Sequence, residues 1–306
     1  MHRMKERGLQ SAARVLMVSP DCFGSNAQCR ADNVFMAAPE RVALDRAAVC
    51  SSHAAWVELL RARGVAVSLF SHPPETPDAV FCNNWFLLHY GVVVLFPMKT
   101  ANRRLERERP DIVASFGACQ VLDLTHWEKE GEFLEGTGSL VVDWTCGVAY
   151  MSVSQRSSLR VAQDFVTRFS QLSGRELQLV SFETEHGGAP IYHTNVVMSV
   201  GAHFAIVCLE VVTRGRAELE AALARSGKRV VVISRAQMDA FCGNVMQVAN
   251  LVCMSDRAFA AFDGAQLRAI RGEEEEEEVE ILHSDLAALE TIGGGGIRCC
   301  LAELFS

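Results

Sequence analysis

The residue best suited to covalent chemistry is a cysteine near the C-terminus that follows a run of glycines. Four consecutive glycines, 293–296, precede Ile297, Arg298, Cys299 and Cys300. Glycine lets a backbone approach a ligand closely, and the charge of Arg298 favours the thiolate, which is the nucleophilic form of cysteine. A cysteine that only packs as a small apolar residue is the alternative. The segment predicts a nucleophile at Cys299.

Two other segments contain residues that could work with such a nucleophile. In PIYHTNVVMSVG, His193 and Asn195 point to the same side of a predicted strand that becomes apolar immediately afterwards. A histidine there could protonate a departing amine, as cysteine hydrolases require, although a lone histidine is more often a satisfied core or surface residue. In FLEGTGSLVVD, Glu135 precedes a glycine turn and a strand, where its carboxylate either binds a ligand or caps the turn.

Three more polar residues lie where predicted strands begin or end. Asn83 and Asn84 occur within AVFCNNWFLLH, and Arg156 follows a strand within SVSQRSSL. Taken alone, the asparagines are typical of side chains that hydrogen-bond nearby backbone groups, and the arginine is typical of a surface residue. Their chemistry depends on which residues the fold brings beside them.

The elements that must position these residues alternate along the chain. Short apolar, β-branched runs alternate with segments of helical period, which is typical of an α/β domain. Strands are predicted at 15–19, 65–70, 79–86, 92–96, 112–116, 139–143, 149–153, 177–182, 195–200, 204–209, 229–233 and 251–254. Helices are predicted from 156 to about 172, where an apolar stripe recurs, and at 54–63 and 216–225, each followed by a glycine. No linker of proline or of glycine and serine divides the sequence, so we expect one domain over 1–306.

The composition is that of a folded protein whose excess charge is local. Apolar residues make up 49% of the 306 residues, enough for a substantial core, which excludes a disordered or fibrous chain. The net charge is −8, and the run from Glu273 to Glu278 supplies six of these charges, so we expect residues 273–278 to form a surface loop. The lack of a basic stretch argues against nucleic-acid binding, and the lack of about 18 consecutive uncharged apolar residues argues against a membrane span.

Cysteine usage and the N-terminus bear on location. The 11 cysteines show neither a paired disulfide framework nor the spacing of a zinc site, so we expect reduced thiols and a cytoplasmic protein with no metal. The basic N-terminal residues leave an organelle presequence open, although a frayed tail is the simpler interpretation; they are Arg3, Lys5, Arg7 and Arg14. Homo-oligomerisation is also left open.

The order of motifs resembles a known superfamily over nearly the whole chain. In sequence, FCNNWF, PMKTANRRLER, LEGTGSLV, SVSQRSSL, PIYHTNVVM, FCGNVMQV and GGGGIRCCLAE are similar to the pentein, or amidinotransferase-like, enzymes that modify guanidino groups. The similarity is greatest with the citrulline-utilisation hydrolase branch, which is related to arginine deiminases and dimethylarginine dimethylaminohydrolases. PIYHTNV and GGGGIRC are the most specific segments.

This resemblance implies a fold and a set of roles. The fold would be a five-bladed, pseudosymmetric α/β propeller of ββαβ units with the site in its central channel, and no cofactor is implied. Cys299 would be the nucleophile, His193 the general acid and later the activator of water, and Glu135 the carboxylate that holds substrate nitrogens. Arg156 would bind the α-carboxylate of an amino-acid substrate.

Two neighbouring positions are assigned less directly by the resemblance. The segment PMKTANRRLER offers Arg103 or Arg104 as a second contact to the substrate carboxylate. Cys300 is a rival nucleophile, but the family pattern has a methionine there, so we expect it to pack.

Two departures from the family pattern bear on the substrate. Deiminases hold the guanidinium with further aspartates, and the matching positions here are Asn84 and Asn195. A buried guanidinium without anionic partners is costly, whereas a neutral ureido group is not, and asparagine can both donate to its oxygen and accept from its NH2. The sequence therefore predicts citrulline as the small-molecule substrate, with Asn83 and Arg103 as additional binding residues. Ornithine, CO2 and ammonia would form through an S-carbamoyl cysteine.

Three other functions stay open. A guanidino hydrolase would form citrulline from arginine or methylated arginine, with Glu135 as its main anionic contact. An amidinotransferase would pass the amidine to an acceptor amine instead of water. A catalytically silent binding protein would keep only the propeller, but the joint presence of Cys299, His193 and Glu135 argues against it.

Overall fold

The computed structural model describes residues 10–37, 45–272 and 279–305. The glutamate run 273–278, predicted as a surface loop, lies outside these ranges, as do the basic residues Arg3, Lys5 and Arg7. Within the described ranges, no helix has both the length and the apolar character that crossing a bilayer requires.

The described strands form five separate small sheets in an α/β chain. Their bounds are β1 Arg14–Val18, β2 Ala66–Phe70, β3 Phe86–His89, β4 Val92–Leu95, β5 Gln120–Asp123, β6 Val141–Asp143, β7 Val148–Val153, β8 Gln178–Thr184, β9 Met198–Val200, β10 Phe204–Val207, β11 Val212–Arg214, β12 Arg229–Val232, β13 Met246–Val248, β14 Leu251–Ser255, β15 Glu280–Ser284 and β16 Ala302–Glu303. The sheet orders are β3-β4-β5, β11-β8-β7-β6, β12-β10-β9, β13-β14-β15 and β16-β1-β2.

Helices connect and cover these sheets. Their bounds are α1 Ala27–Arg30, α2 Arg46–Ala62, α3 Ala101–Arg104, α4 Pro110–Ala114, α5 Gly136–Ser139, α6 Leu159–Ser173, α7 Thr194–Val197, α8 Arg216–Arg225, α9 Arg235–Asp239, α10 Asp256–Ala261, α11 Gly264–Arg271 and α12 Ala287–Gly293. Five 3-10 turns are also described, at Cys82–Asn84, Leu105–Arg107, Thr125–Glu130, Leu209–Val211 and Ile297–Cys300.

One connection recurs in every described sheet. An antiparallel pair is followed by a helical segment and then by a strand parallel to the second one. Strand β3 pairs antiparallel with β4, and β4 pairs parallel with β5. The other sheets repeat this order with β6-β7-β8, β9-β10-β12, β13-β14-β15 and β16-β1-β2. The ββαβ unit implied by the resemblance is therefore present five times.

The sheet that contains both ends of the described chain holds the cysteine segment in place. Strand β16 pairs antiparallel with β1, with Ala302 opposite Leu16, and the Leu304 amide donates to the Arg14 carbonyl at 2.9 Å. Cys299 lies three positions before β16 and belongs to the same buried apolar cluster as Val15 and Met17. A nucleophile close to the end of the sequence is thus anchored by the first strand of the fold.

Helix α6 shows how the apolar stripe was read and where the prediction was shifted. Val161, Ala162, Phe165 and Phe169 are buried on one face, as the helical period predicts. The helix begins at Leu159 instead of 156, because the Ser158 side chain accepts a hydrogen bond from the Val161 amide and caps the first turn. Arg156 therefore lies in the turn before the helix.

Several predicted elements were wrong in type or extent. Residues 112–116 were predicted as a strand, but Pro110 and Asp111 begin a helix there, as proline in the first turn favours. Residues 195–200 contain the short helix α7 followed by strand β9, and the predicted strand at 79–86 is a 3-10 turn that precedes β3. The predicted helix at 54–63 begins earlier, at Arg46, where Asp45 caps it.

Replacing Phe165 by alanine should lower the free energy of unfolding by about 3–5 kcal/mol, because its ring is fully buried between α6 and the adjoining sheet. Leu172→Ala on the same helix removes a side chain that is 37% exposed and should cost less than about 1 kcal/mol. Urea unfolding followed by circular dichroism measures both values. Equal losses would contradict the described orientation of α6.

Candidate active site

The thiol of Cys299 lies in a neutral, buried environment. Cys299 is 3% exposed in the 3-10 turn that follows the glycine run, and its Sγ accepts hydrogen bonds from Asn244 Nδ2 at 3.3 Å and Asn195 Nδ2 at 3.6 Å. Burial raises the pKa of Cys299 above the ordinary thiol value, although the two amides and the charge of Arg298 oppose the rise. The expectation that Arg298 would favour the thiolate was therefore wrong for the unliganded protein, because burial has the larger effect.

Glu135 and His193 form a buried acid–base pair. Glu135 is fully buried at the start of α5, and its Oε2 lies 2.9 Å from His193 Nε2, while its Oε1 accepts from the Lys99 amide at 3.0 Å. Burial alone would raise the pKa of Glu135, but Arg156, His193 and Arg103 together hold that pKa well below its usual range. Glu135 is therefore an ionised carboxylate that orients one side of the imidazole.

The imidazole of His193 is itself mostly neutral in this setting. Burial lowers the pKa of His193, and the hydrogen bond to Glu135 opposes that effect without cancelling it. A neutral imidazole can accept a proton, and the carboxylate 2.9 Å away would stabilise the imidazolium that results. The pair can therefore take up a proton and later return it.

Two glycines allow these side chains to approach one another. A Cβ on Gly138 would come within 2.6 Å of Asn84 Oδ1 and 2.8 Å of the His193 ring, so only glycine leaves room for both. Gly136 has a φ of +46°, and a Cβ there would meet the Asn83 and Asn84 carbonyls at 2.7 and 2.6 Å. The turn after Glu135 thus packs directly on the asparagine pair.

The predicted asparagines are buried with unused hydrogen-bonding capacity. Asn83, Asn84 and Asn195 are each at most 2% exposed. Within the described residues, both side-chain amide atoms of Asn83 and the Oδ1 atoms of Asn84 and Asn195 have no hydrogen-bond partner. Buried polar groups usually have partners, and an unsatisfied one is costly. Their presence together beside Cys299 and His193 is what a polar ligand group would compensate.

The predicted arginines are already bound to protein groups. Arg156 contacts Glu135 Oε2 at 3.4 Å and is hydrogen-bonded to Asp32 through Nε at 3.1 Å. Arg103 is 3% exposed and forms an ion pair with Glu106 at 2.7 Å. Arg104 donates from Nε to the Met98 carbonyl at 2.9 Å. Arg103 and Arg104 thus hold their own segment together, and Arg156 is the predicted arginine in direct contact with the acid–base pair.

The other residues left unassigned by the sequence also receive places. Cys300 is buried, and its Sγ donates to the Gly296 carbonyl at 3.6 Å, consistent with packing. Asn26 donates to Asp78 at 2.8 Å, and Asn33 donates to the Gly293 carbonyl at 3.3 Å. These two asparagines anchor the N-terminal segment over the site.

Asn244 and Asp32 belong to the site and were not identified from the sequence. Asn244 was part of the motif FCGNVMQV, and its neighbour Gly243 would place a Cβ 2.1 Å from the Val196 carbonyl, a close approach that was a usable signal. Asp32 follows a short helix in an irregular segment. No pattern near Asp32 indicates its contact with Arg156, which lies 124 positions away in sequence.

The site residues share one position in the fold. Asn84, Asn195, Asn244 and Cys299 each lie two or three residues before the first strand of a different sheet, namely β3, β9, β13 and β16. The turn that starts at Glu135 precedes β6, the first strand of the remaining sheet. Each of the five sheets therefore contributes a polar residue at an equivalent place. Within the described ranges, no group of three or more His, Cys, Asp or Glu side chains is arranged to hold a metal ion.

Comparisons with known proteins agree with this arrangement. A family model described as N,N dimethylarginine dimethylhydrolase, eukaryotic, matches residues 19–306. A comparison with curated proteins finds no match.

Solved structures with the same fold are distant in sequence. Apo ArgZ, an arginine dihydrolase from the ornithine-ammonia cycle in cyanobacteria, is 16% identical with a TM-score of 0.70, over 94% of this chain and 40% of its own. Unliganded AgrE is 18% identical with a TM-score of 0.76, over 95% of this chain and 39% of its own. A dimethylarginine dimethylaminohydrolase adduct is 14% identical with a TM-score of 0.68, over 94% and 98%. The chain thus spans about 40% of the length of the ArgZ and AgrE chains.

Gly138→Ala should reduce kcat/KM by about 10- to 100-fold, because the added methyl group would push Asn84 and His193 apart. Gly264→Ala is the matched control, since its Cβ would meet only the end of the Arg268 side chain at 3.4 Å. Steady-state kinetics with thermal unfolding of both variants makes the comparison. Full activity in Gly138→Ala would show that the close packing is not required.

The alkylation rate of Cys299 by iodoacetamide should rise about tenfold per pH unit from pH 7 to 9, because its pKa lies above the ordinary value of 9.0 and only the thiolate reacts. Peptide mass spectrometry identifies the labelled position, and Cys299→Ser supplies the background. A rate that levels off below pH 8 would contradict this and indicate a thiolate formed at neutral pH.

Proposed function

The chain belongs to the N,N-dimethylarginine dimethylhydrolase family, and we propose that it is a cysteine hydrolase that cleaves citrulline to ornithine, CO2 and ammonia. The observation that carries the choice of substrate is the neutral amide lining of the site around Cys299, formed by Asn84, Asn195 and Asn244. Guanidino hydrolysis is the function of relatives in this superfamily and is the second candidate below.

The charge balance at the site supports a neutral electrophile. The carboxylate of Glu135 is already neutralised by Arg156 at 3.4 Å, so it has no uncompensated charge to offer a cationic ligand. The unpartnered atoms Asn84 Oδ1 and Asn195 Oδ1 could accept from a ureido NH2, and amide NH2 groups could donate to its carbonyl oxygen. A guanidinium in the same place would be buried beside amides instead of carboxylates, which is less favourable.

The proposed reaction uses the acid–base pair twice. His193 takes the proton of Cys299, and the thiolate attacks the ureido carbon to form a carbon–sulfur bond. The carbon–nitrogen bond to ornithine then breaks as the imidazolium, stabilised by Glu135, protonates the departing nitrogen. Water that loses a proton to His193 attacks the S-carbamoyl cysteine, the carbon–sulfur bond breaks, and the thiol is regenerated. The released carbamate decomposes to CO2 and ammonia.

The five ββαβ sheets are best arranged, in this proposal, as blades of a pseudosymmetric propeller. Each sheet supplies a polar residue before its first strand, and residues from all five sheets are brought together around Cys299, His193 and Glu135. A central site with one contribution from each blade accounts for this register. The single domain of residues 1–306 follows from the same closure, in which β16 joins the first sheet.

Arginine or methylated arginine is the second candidate substrate, and one residue favours it. Asp78 is 3% exposed, and its Oδ1 has no hydrogen-bond partner among the described residues, while Oδ2 accepts from Asn26 at 2.8 Å. A buried carboxylate with a free oxygen could pair with a cationic group. The family description also names dimethylarginine.

Purified protein should release ornithine from citrulline with a kcat/KM at least about 10-fold higher than for arginine or N,N-dimethylarginine, because the site has no free carboxylate beside Cys299. Amino-acid analysis of the products distinguishes ornithine from citrulline. Asn84→Asp should shift the preference towards the guanidino substrates by about 10-fold, whereas Asn250→Asp, at an exposed position, should not. Formation of citrulline from arginine by the wild type as its fastest reaction would contradict the proposal and favour the second candidate.

A further inference from the structure

Every donor of the Arg156 guanidinium is occupied in the unliganded protein. Arginine has five N–H donors. Nε donates to Asp32 Oδ1 at 3.1 Å, Nη2 donates to the same oxygen and to the Cys29 carbonyl at 2.9 Å, and Nη1 faces Glu135 Oε2 at 3.4 Å and Cys29 Sγ at 3.8 Å. A substrate carboxylate can reach this guanidinium only if a present partner leaves.

Asp32 occupies the edge of Arg156 that a carboxylate ligand would use. Its Oδ1 is bound by both Nε and Nη2, and its Oδ2 accepts from Lys99 Nζ at 2.5 Å. An arginine edge and an ammonium together form the usual set of partners for one carboxylate. Two carboxylates cannot share these partners without strong repulsion, since their like charges would lie in van der Waals contact.

The other partners of Arg156 are less able to leave. Glu135 is fully buried and holds His193, and the Arg156 carbonyl accepts from the Glu135 amide at 3.2 Å and from Ser139 Oγ at 2.8 Å. Asp32, in contrast, retains 11% side-chain exposure and lies in a turn whose amide bond to the Cys29 carbonyl is long, at 3.4 Å. Asp32 is therefore the partner that a ligand displaces.

We propose that Asp32 determines the substrate class by exchange: it holds the carboxylate place on Arg156 in the free protein, yields it to the substrate α-carboxylate, and then pairs with the substrate α-ammonium. This inference rests on the proposed function, because it concerns the amino-acid end of the same substrate. The exchange keeps one carboxylate on Arg156, and the α-ammonium supplies Asp32 with a new cation directly beside the first. The substrate class is a free, zwitterionic α-amino acid.

The test measures how much the α-ammonium contributes to binding, with and without Asp32. Calorimetry on Cys299→Ala protein, which cannot turn over, gives dissociation constants for citrulline and for 5-ureidopentanoate, which is citrulline without its amino group. We expect citrulline to bind at least about 10-fold tighter than 5-ureidopentanoate when Asp32 is present. Adding Asp32→Asn should reduce that ratio to about 1 and should tighten 5-ureidopentanoate itself, because its competitor for Arg156 is gone.

Controls separate charge from folding. Asp21→Asn, in the same N-terminal segment but exposed, should leave the ratio unchanged, and Asp32→Glu, which keeps the charge on Arg156, should retain a ratio above about 3. Melting temperatures of all variants identify any loss of folding. A ratio near 1 in protein with Asp32 intact overturns the inference even if Asp32→Asn does not fold.

Other outcomes are equally decisive. A ratio that survives Asp32→Asn, or weaker binding of 5-ureidopentanoate to that variant, would show that Asp32 neither pairs with the ammonium nor competes for Arg156. Binding with the expected ratio but without ornithine release by the wild type would contradict the proposed reaction and leave the role of Asp32 standing. Failure of both ligands to bind would overturn both.

Discussion

The buried charge of Glu135 is the constraint to which the rest of the site is fitted. A carboxylate with no exposed surface persists as an anion only if donors and cations surround it, and Glu135 has the Lys99 amide, His193 and Arg156. Removing one partner from such a buried pair typically costs about 3–5 kcal/mol. Glu135 therefore fixes the orientation of the imidazole and, at the same time, the position of a buried guanidinium.

That guanidinium extends the constraint to the N-terminal segment. Arg156 is itself 1% exposed, so one shared contact with Glu135 does not satisfy it, and the Cys29 carbonyl and Asp32 supply the remainder. The segment that contains them is held further by Asn26 on Asp78 and Asn33 on the Gly293 carbonyl. A residue range without regular structure beyond a four-residue helix is ordered in this way by the charges beneath it.

The neutral half of the site has a different origin. Asn84, Asn195 and Asn244 come from three sheets and approach each other through glycines, which leave space where any Cβ would collide. Because these amides surround a thiol that burial keeps protonated, the proton must leave during the reaction instead of before it. The His193–Glu135 pair provides a place for that proton, since the imidazole is held neutral and the carboxylate charged.

The sequence by itself determined the alternation of strands and helices, the apolar stripe of α6, and the polar residues that precede first strands, because these depend on local period and on short motifs. It indicated Cys299, His193 and Glu135, which the fold brings into one buried region. Short elements were less predictable: at 112–116 a proline-initiated turn outweighed the β-branched residues, and at 194–197 a helical turn interrupted the expected strand. Only the tertiary structure decided that burial outweighs Arg298 at the Cys299 thiol, that Arg103 pairs with Glu106, and that Asp32 occupies Arg156. Desolvation and the pairing of charges distant in sequence depend on what the complete fold places around a side chain, and no local pattern encodes them.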